Sequence, residues 1–208
     1  MDNRNILLAY CLKHNNNWDR ILQAIEHHEG ISDEDWEEYD AFQVNFITML
    51  DTEYPERLRH RYKPPFVLYY DGDIDVLKRI KDDNDLIFLH GDNIFNIPRE
   101  NLITITDDNC VDIAGRLKVW FNNESTNVDR FGLAASLASS IVCTKIYDSS
   151  PAVAMRSWFN CISVPCATNM NADIYYRATE GPSFNNRMIK DGAFLIDDIH
   201  DIRKLYNY

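Results

Sequence analysis

The side chains of this chain that could bind a ligand are cations and an amide near its C-terminal end. Asn186 and Lys190 lie four residues apart in a predicted helix that begins at Phe184, so both occupy one face near its N-terminal end. The unpaired N–H groups of a helix N-terminus favour an anion, and Arg187 and Arg130 could add positive charge. This pattern is consistent with a phosphate site. It is equally consistent with Asn186 as a helix cap and Lys190 as a solvated charge.

Positive charge is scarce in the chain, and its distribution restricts where an anion could bind. The 208 residues carry a formal net charge of −12, which argues against general affinity for nucleic acid because phosphate contacts need lysine and arginine. Residues 127–190 are nevertheless net +2, with six basic residues against four acidic ones, so the remainder is −14. Residues 29–40 hold seven acidic residues and no basic one. We therefore expect any anionic ligand to bind within residues 127–190.

No arrangement typical of a catalytic or metal centre occurs in the sequence. It contains no Gly-x-Ser-x-Gly elbow, Walker loop or GxGxxG turn. The spacing of Cys161 and Cys166, with Cys143 as a third thiol, fits no usual zinc pattern. We expect a binding protein rather than an enzyme, with no cofactor and no metal.

Cysteine usage and hydropathy predict the compartment. The five cysteines are an odd number at irregular spacing, which argues against a disulfide framework and for a reducing environment. No stretch approaches the roughly 18 consecutive apolar residues that a membrane span requires. The first residues run directly into an amphipathic segment without an apolar signal region. We expect a cytoplasmic protein that does not interact with membranes.

Hydrophobic periodicity divides the chain in two. Residues 1–46 show helical spacing, with a polar run at 15–17 that suits a turn and an N-cap, and a capping-box pattern at Ser32 and Asp35. They predict a small N-terminal helical unit. From Phe66 onward, short apolar runs rich in β-branched and aromatic residues alternate with helical patterns. The predicted strands are 66–70, 86–89, 102–106, 141–147, 161–164 and 193–196, and the predicted helices are 74–81, 110–121, 128–140, 151–159 and 184–190.

This alternation predicts an α/β fold over residues 47–208. The chain has 45% apolar and 12% aromatic residues, enough to bury one core. Strands that alternate with helices form βαβ units, whose strands run parallel with right-handed crossovers. We therefore expect a Rossmann-like, mostly parallel sheet flanked by helices.

The segment from Ile47 to Asp73 resembles a known family. It contains Asp51-Thr52-Glu53-Tyr54-Pro55-Glu56-Arg57-Leu58, then Pro64-Pro65, a predicted strand and Gly72-Asp73. Members of the DprA/Smf family of DNA-processing proteins enter their Rossmann domain through a similar passage: D-x-x-Y-P-x-x-L, a proline-rich turn, a strand and G-D. Because proline fixes φ and restricts the residue before it, both turns should be stiff. We expect these residues to have a structural role.

A second segment also resembles this family. Residues 161–166 end in Val164-Pro165-Cys166, and residues 184–196 read Phe-Asn-Asn-Arg-Met-Ile-Lys-Asp-Gly-Ala-Phe-Leu-Ile. The family has a strand ending in V-P-G and then N-x-L-I-x-D-G-A before another strand. Cys166 stands in place of the glycine, and the predicted loop at 167–183 is long.

Between these segments the sequence departs from the family pattern. The family's first Rossmann strand ends in G-S-R, whose glycine approaches a phosphate and whose arginine binds it. Here the strand is followed by His90-Gly91-Asp92, so the glycine is kept, the arginine is absent, and Asp92 would repel phosphate. Arg130, followed by Ala135-Ser136-Leu137-Ala138, is similar to a family helix reading F-P-x-R-N-R-x-I-A-G-L-S, of which one arginine remains.

The resemblance implies single-stranded DNA as the ligand and a role in recombination. The phosphate contacts would be Gly91, Arg130, Asn186, Arg187 and Lys190. It also implies a recombinase partner that the protein helps to load, and a homodimer. Two alternatives stay open: a Rossmann pocket for a nucleotide-like ligand, and a phage- or mobile-element-type protein that contacts a protein partner through its acidic N-terminal surface. The family motifs favour DNA, while the charge and the missing arginine favour the alternatives.

Overall fold

The computed structural model of this protein describes residues 2–78, 86–108, 110–121, 126–144, 173–181 and 183–202. The helices with both ends in these ranges are α1 (Asn3–Lys13), α2 (Trp18–Glu26), α3 (Asp33–Ala41), α4 (Glu56–Arg59), α5 (Asn127–Leu137) and α6 (Phe184–Lys190), with 3-10 turns at Arg99–Asn101 and Ile199–Asp201. The strands are β1 (Asn45–Thr48), β2 (Val67–Gly72), β3 (Ile87–His90), β4 (Leu102–Ile105), β5 (Val111–Ile113), β6 (Leu117–Trp120), β7 (Ser140–Cys143), β8 (Asp173–Tyr176) and β9 (Phe194–Leu195). Within these ranges, no helix is long and apolar enough to cross a membrane.

The strands of the described ranges form one sheet in the order β1-β2-β6-β5-β4-β3-β7-β8-β9. The α/β class is confirmed, and the passage through β2 shares this sheet with the strands from β3 onward, as predicted. Parallel pairing joins β4, β3, β7, β8 and β9. Antiparallel pairing joins β1, β2, β6, β5 and β4. The predicted parallel arrangement therefore holds for the half of the sheet from β4 to β9. The half from β1 to β4 is antiparallel.

The antiparallel half contains a hairpin where the sequence predicted a helix at 110–121. That prediction is wrong, because these residues form β5 and β6. Alternate residues of both strands are buried and those between them are half-buried, which is the period of a strand that covers a core with one face. Ala114 and Gly115 make the turn with positive φ values of 58° and 66°, the conformation that tight hairpins favour.

On the side away from β3, the neighbour of β7 is β8, which lies in the segment predicted as a loop at 167–183. The loop prediction is wrong for residues 173–176. Ile174, Tyr175 and Tyr176 are at most 1% exposed, and such β-branched and aromatic side chains favour strands. The predicted strand at 161–164 and helix at 151–159 lie outside the described residues, as do the ends of the predicted helix at 74–81 and strand at 141–147.

Helices cover both faces of the sheet at β2. Leu68 belongs to a core cluster that includes Leu58 of α4 and Phe131 of α5. Its neighbours Val67 and Tyr69 belong to a second cluster with side chains of α1 and α2. Since successive residues of a strand point to opposite faces, α5 and the N-terminal helices pack on opposite sides of the sheet.

The helices of residues 1–46 begin where the sequence predicts. Asn17 caps α2 by accepting a hydrogen bond from the N–H of Arg20 at 3.1 Å. Ser32 and Asp35 form the predicted capping box at α3, with N···O distances of 3.2 Å and 2.9 Å. The helical content of this unit is confirmed. The division of the chain at residue 46 stays a prediction, and β1 begins at Asn45.

The Tyr54-Pro55 motif joins the two proline turns. Tyr54 is 2% exposed, and its hydroxyl donates a hydrogen bond to the carbonyl of Pro65 at 2.6 Å. Burial raises the pKa of Tyr54 above its usual range. Nearby, Arg57 donates from Nη1 to the carbonyl of Ala138 at 2.8 Å. The motif therefore connects the entrance of the sheet to the C-terminal end of α5.

Deletion of residues 1–44, which spares β1, is expected to leave a core that still unfolds cooperatively but with lower stability. The deletion exposes Val67 and Tyr69, and each buried apolar side chain contributes about 1.5–3 kcal/mol. Urea denaturation of the deleted and full chains measures the loss. Leu8→Ala in the full chain, which weakens the same cluster, should cost about 2–5 kcal/mol. A broad, non-cooperative transition of the deleted chain would contradict the prediction.

Candidate functional site

The candidate site is a cavity of about 600 Å³ at the carboxyl edge of β3 and β4, beside the beginning of α5. Because β3 and β4 pair in parallel, with Ile87 opposite Leu102, Gly91 and Thr106 follow them at the same edge. The helix α5 leads into β7, which is also parallel to β3, so α5 begins at this edge as well. Open α/β sheets bind ligands at this place in the fold.

Aromatic rings form the inner wall of the cavity. Phe131 of α5 is fully buried, and its ring centroid lies 4.8 Å from that of Phe88, with an interplanar angle of 70°. The ring of His90 packs against Phe131 at 5.3 Å and 81°. Edge-to-face pairs contribute about 0.5–1.5 kcal/mol beyond their burial. The packing holds His90 between the core and the cavity opening.

The segment that follows β3 is held by Thr144, the residue after β7. The N–H of Thr144 donates to the carbonyl of His90 at 3.0 Å, and its hydroxyl donates to the carbonyl of Asp92 at 2.9 Å. Between these two carbonyls, Gly91 adopts a φ of 121°, a conformation that favours glycine. The backbone at Gly91 is therefore fixed, and without a side chain it allows close approach of a ligand.

The beginning of α5 is capped by its own side chains. Thr126 Oγ1 accepts from the N–H of Asp129 at 3.2 Å, and Asp129 Oδ2 accepts from the N–H of Thr126 at 3.0 Å. Nε of Arg130 donates to the carbonyl of Thr126 at 3.2 Å, which keeps the guanidinium on the first turn. A carboxylate at this position offsets the positive end of the helix dipole. Attraction for a phosphate must therefore come mainly from Arg130.

The cavity lining carries more negative than positive charge. Among the described residues, its charged side chains are Arg130, Asp92 and Asp107, a formal charge of −1 with His90 neutral. In water, a carboxylate on the order of 8 Å from a phosphate opposes its binding by about 0.5 kcal/mol. Neutral hydrogen-bonding groups are added by Thr104, Thr106 and Asn127. The cavity suits a base or a sugar as well as a phosphate.

The structure brings two of the five predicted phosphate contacts together. Gly91 and Arg130 both line the cavity, and its described lining does not include Asn186, Arg187 or Lys190. These three belong to α6, which packs against β8. Because α6 connects the parallel strands β8 and β9, it begins at the same carboxyl edge, two strands away from β3. Arg187 and Lys190 are exposed and lie in the last turn of α6, away from the edge at which the helix begins, so Lys190 is not near the N-terminal end as predicted.

Asn186 binds the loop that precedes α6. Ser183 caps this helix by accepting from the N–H of Asn186 at 3.1 Å, so the alternative in which Asn186 is the cap is wrong. The side chain of Asn186 accepts from the N–H of Thr179 at 3.0 Å and donates to the carbonyls of Thr179 and Gly181 at 2.6 Å and 2.7 Å. Its amide is engaged by the loop, and a phosphate contact for Asn186 stays a prediction.

The contribution of β4 to the site was not predicted from the sequence. Thr104, Thr106 and Asp107 line the cavity opposite Arg130. Threonines and an aspartate carry no signal for an anion site. One signal was available. If the strands predicted at 86–89 and 102–106 are parallel neighbours, the residues that follow them lie at the same edge of the sheet.

Replacement of Asn186 by alanine is expected to destabilise the protein. The change removes three hydrogen bonds to the loop at 179–181, so the free energy of unfolding in urea should fall by about 1–3 kcal/mol. Arg187→Ala in the same helix is the control, because an exposed side chain should change stability by less than about 0.5 kcal/mol. Unchanged stability of the Asn186 variant would show that these contacts do not hold the loop.

Comparison with known proteins supports the resemblance found in the sequence. Residues 45–82 match the family model of DNA recombination-mediator protein A. No curated protein sequence matches the chain. Among solved structures, DNA processing protein A (DprA) from Streptococcus pneumoniae is similar, with a TM-score of 0.56 and 13% sequence identity over 100% of this chain and 94% of that one. At this identity the similarity is one of fold.

The family model covers the first of the two segments that resemble the family. It includes β1, the Tyr54-Pro55 turn, α4 and β2, and it ends before β3 and the cavity. The resemblance of this chain to the DprA/Smf family is therefore confirmed, in sequence over residues 45–82 and in fold over the chain as a whole.

Proposed function

We propose that this chain has a DNA-processing role in recombination, in which it holds single-stranded DNA at the carboxyl edge of the sheet without catalysing a reaction on it. The observation that carries the proposal is the cavity, where Gly91 allows close approach of a strand and Arg130 supplies a cation. The description of the matched family and the name of the similar structure support the same role. A recombinase partner and a homodimer, which the resemblance implies, belong to this proposal.

The proposed strand runs from the cavity beside α5 to α6 and along that helix to its last turn. One phosphate lies beside Arg130, and its base or sugar contacts the neutral side chains of the cavity. Later phosphates lie beside Arg187 and Lys190 on α6. Three phosphate contacts to a single strand correspond to a slope of about −2 in a plot of log K against log salt. Binding should therefore be weak and strongly dependent on salt.

A nucleotide-like ligand is the second candidate, and the shape and charge of the cavity favour it. A volume of about 600 Å³ lies within the range of about 300–1,000 Å³ that is usual for small-molecule sites. The carboxylates of Asp92 and Asp107 oppose a polyanion more strongly than a ligand with few charges. Titration with nucleotides and with an oligonucleotide separates the two candidates.

Simultaneous replacement of Arg187 and Lys190 by alanine is expected to weaken binding of a labelled oligonucleotide at least tenfold at low salt. Loss of two phosphate contacts should also reduce the salt slope by about 1.4, while thermal stability stays nearly unchanged because both side chains are exposed. Fluorescence anisotropy at several salt concentrations measures both quantities.

The control for this pair removes two exposed cations elsewhere. Lys78→Ala with Arg116→Ala makes the same change in net charge, and each residue forms an exposed ion pair. This control should bind nearly as the wild type does. If the wild type binds no oligonucleotide even at low salt, the DNA proposal fails. Saturable nucleotide binding would then favour the second candidate. If nucleotides do not bind either, a protein-interaction role would be favoured.

Removal of the carboxylates at the cavity is expected to strengthen oligonucleotide binding. Asp92→Asn with Asp107→Asn should raise affinity about fivefold at low salt, because each charge opposes a phosphate by about 0.5 kcal/mol. Glu37→Gln with Glu38→Gln on α3 is the matched control, since both residues are exposed and lie on a different helix. Equal gains in the two double variants would place the strand away from the cavity.

A further inference from the structure

The densest run of positive charge in this chain lies outside the cavity. Residues 57–63 hold four arginine or lysine residues, one histidine and no acidic residue, and no other run of seven residues holds as many arginines and lysines. The run begins in α4 and continues into the turn before β2. Residues 59–63 are called the basic loop below.

Two arginines anchor the basic loop to the fold. Arg57 donates to the carbonyl of Ala138 at 2.8 Å, and desolvation lowers its pKa. Arg59 donates to the carbonyls of Met49 and Asp51, the latter at 3.2 Å. These bonds fix the backbone from which the next side chains project. The loop is therefore positioned by the fold before any partner arrives.

Two of the side chains that follow, His60 and Tyr62, are exposed to solvent. The side chain of His60 is 75% exposed and Tyr62 is 55% exposed. Lys63 adopts a positive φ of 51°, and its Nζ lies 5.7 Å from the centre of the Tyr62 ring and 5.4 Å from that of Trp18. An exposed aromatic ring thus stands beside an ammonium group.

Two acids of the described residues form exposed ion pairs with the loop. Glu56 pairs with Arg59 at 3.1 Å and with His60 at 2.8 Å, and Asp19 pairs with Lys63 at 2.6 Å. The hydrogen bond to Asp19 raises the pKa of Lys63, so its ammonium stays charged at neutral pH. Exposed ion pairs are weak and can exchange, so a phosphate can replace either acid.

The basic loop is separated from the cavity by the length of α5. Its anchor Arg57 binds Ala138, one residue beyond the end of α5, whereas Arg130 lies in the first turn at the cavity. Eleven residues at about 1.5 Å per residue give a separation of about 16 Å along the helix. A ligand in the cavity therefore does not occupy the loop.

We propose that the basic loop is a second contact for a single strand of nucleic acid, in which Lys63 and His60 face phosphates and Tyr62 stacks on a base. Proteins that bind single strands combine cations along the backbone with aromatic rings on which bases stack. An acidic peptide would use the same cations but gain nothing from the ring. The inference rests on the proposed function in that both need the chain to bind a single strand, while the residues involved are different.

Anisotropy with a labelled oligonucleotide at low salt, on the full chain, tests the loop. Tyr62→Ala should weaken binding about tenfold, since stacking of one base has about that effect, and Tyr62→Phe should bind as the wild type does. Lys63→Gln should weaken binding several-fold and reduce the salt slope by about 0.7. Lys78→Gln is the matched control, because Lys78 forms an exposed ion pair with Asp75 at 2.6 Å, like that of Lys63 with Asp19. The Lys78→Gln variant should bind the oligonucleotide as the wild type does.

The outcomes separate this inference from the cavity proposal. Weaker binding with Tyr62→Ala and unchanged binding with Arg130→Gln would support the loop and overturn the cavity. The reverse pattern would overturn the loop and keep the cavity, and a wild type that binds no strand would overturn both. Equal binding of Tyr62→Ala and wild type, with displacement of the strand by polyglutamate, would also overturn the stacking role. Unchanged melting temperatures of the loop variants exclude misfolding as the cause.

Discussion

The packing of α5 against β3 is the constraint on which both proposed binding surfaces depend. Along its inner face, Phe131 meets Phe88 edge to face in the core. Its first turn carries Arg130 into the cavity, and the chain just beyond its last turn accepts the hydrogen bond of Arg57. A shift of the helix by one turn, about 5.4 Å, would displace the cavity cation and the anchor of the basic loop together. The family-like segment and the candidate site are therefore mechanically connected.

Local features of this fold could be predicted from the sequence, and long-range pairing could not. The caps at Asn17 and Ser32 depend on side chains within three residues, so their pattern is visible in the sequence. The hairpin at 111–120 depends on which face of each strand meets the core, and short apolar runs fit helical and strand periods alike. The strand β8 was missed for a related reason, because three buried residues are too short a run to stand out from a loop.

The candidate site was predicted in part because parallel pairing brings distant residues to one edge. Gly91 and Arg130 are far apart in the sequence, yet β3 and α5 place both at the cavity. The basic loop was overlooked because charge was summed over long segments, and residues 57–63 lie within a remainder of −14. A charge acts over about 8–10 Å in physiological salt. A run of seven residues therefore determines the local potential more directly than the sum over a segment does.

The mixed pairing of the sheet also has a kinetic consequence. In the β4-β5-β6 meander, partners such as Ile113 and Leu117 are close in sequence, whereas β3 pairs with β7 across more than fifty residues, from Ile87 to Ser140. Closing a long loop costs more conformational entropy than closing a short one, and non-local contacts form late. We therefore expect the meander to assemble early, and α5, which leads into β7, to close the cavity late. A nascent chain would therefore form the meander before its cavity is able to hold a ligand.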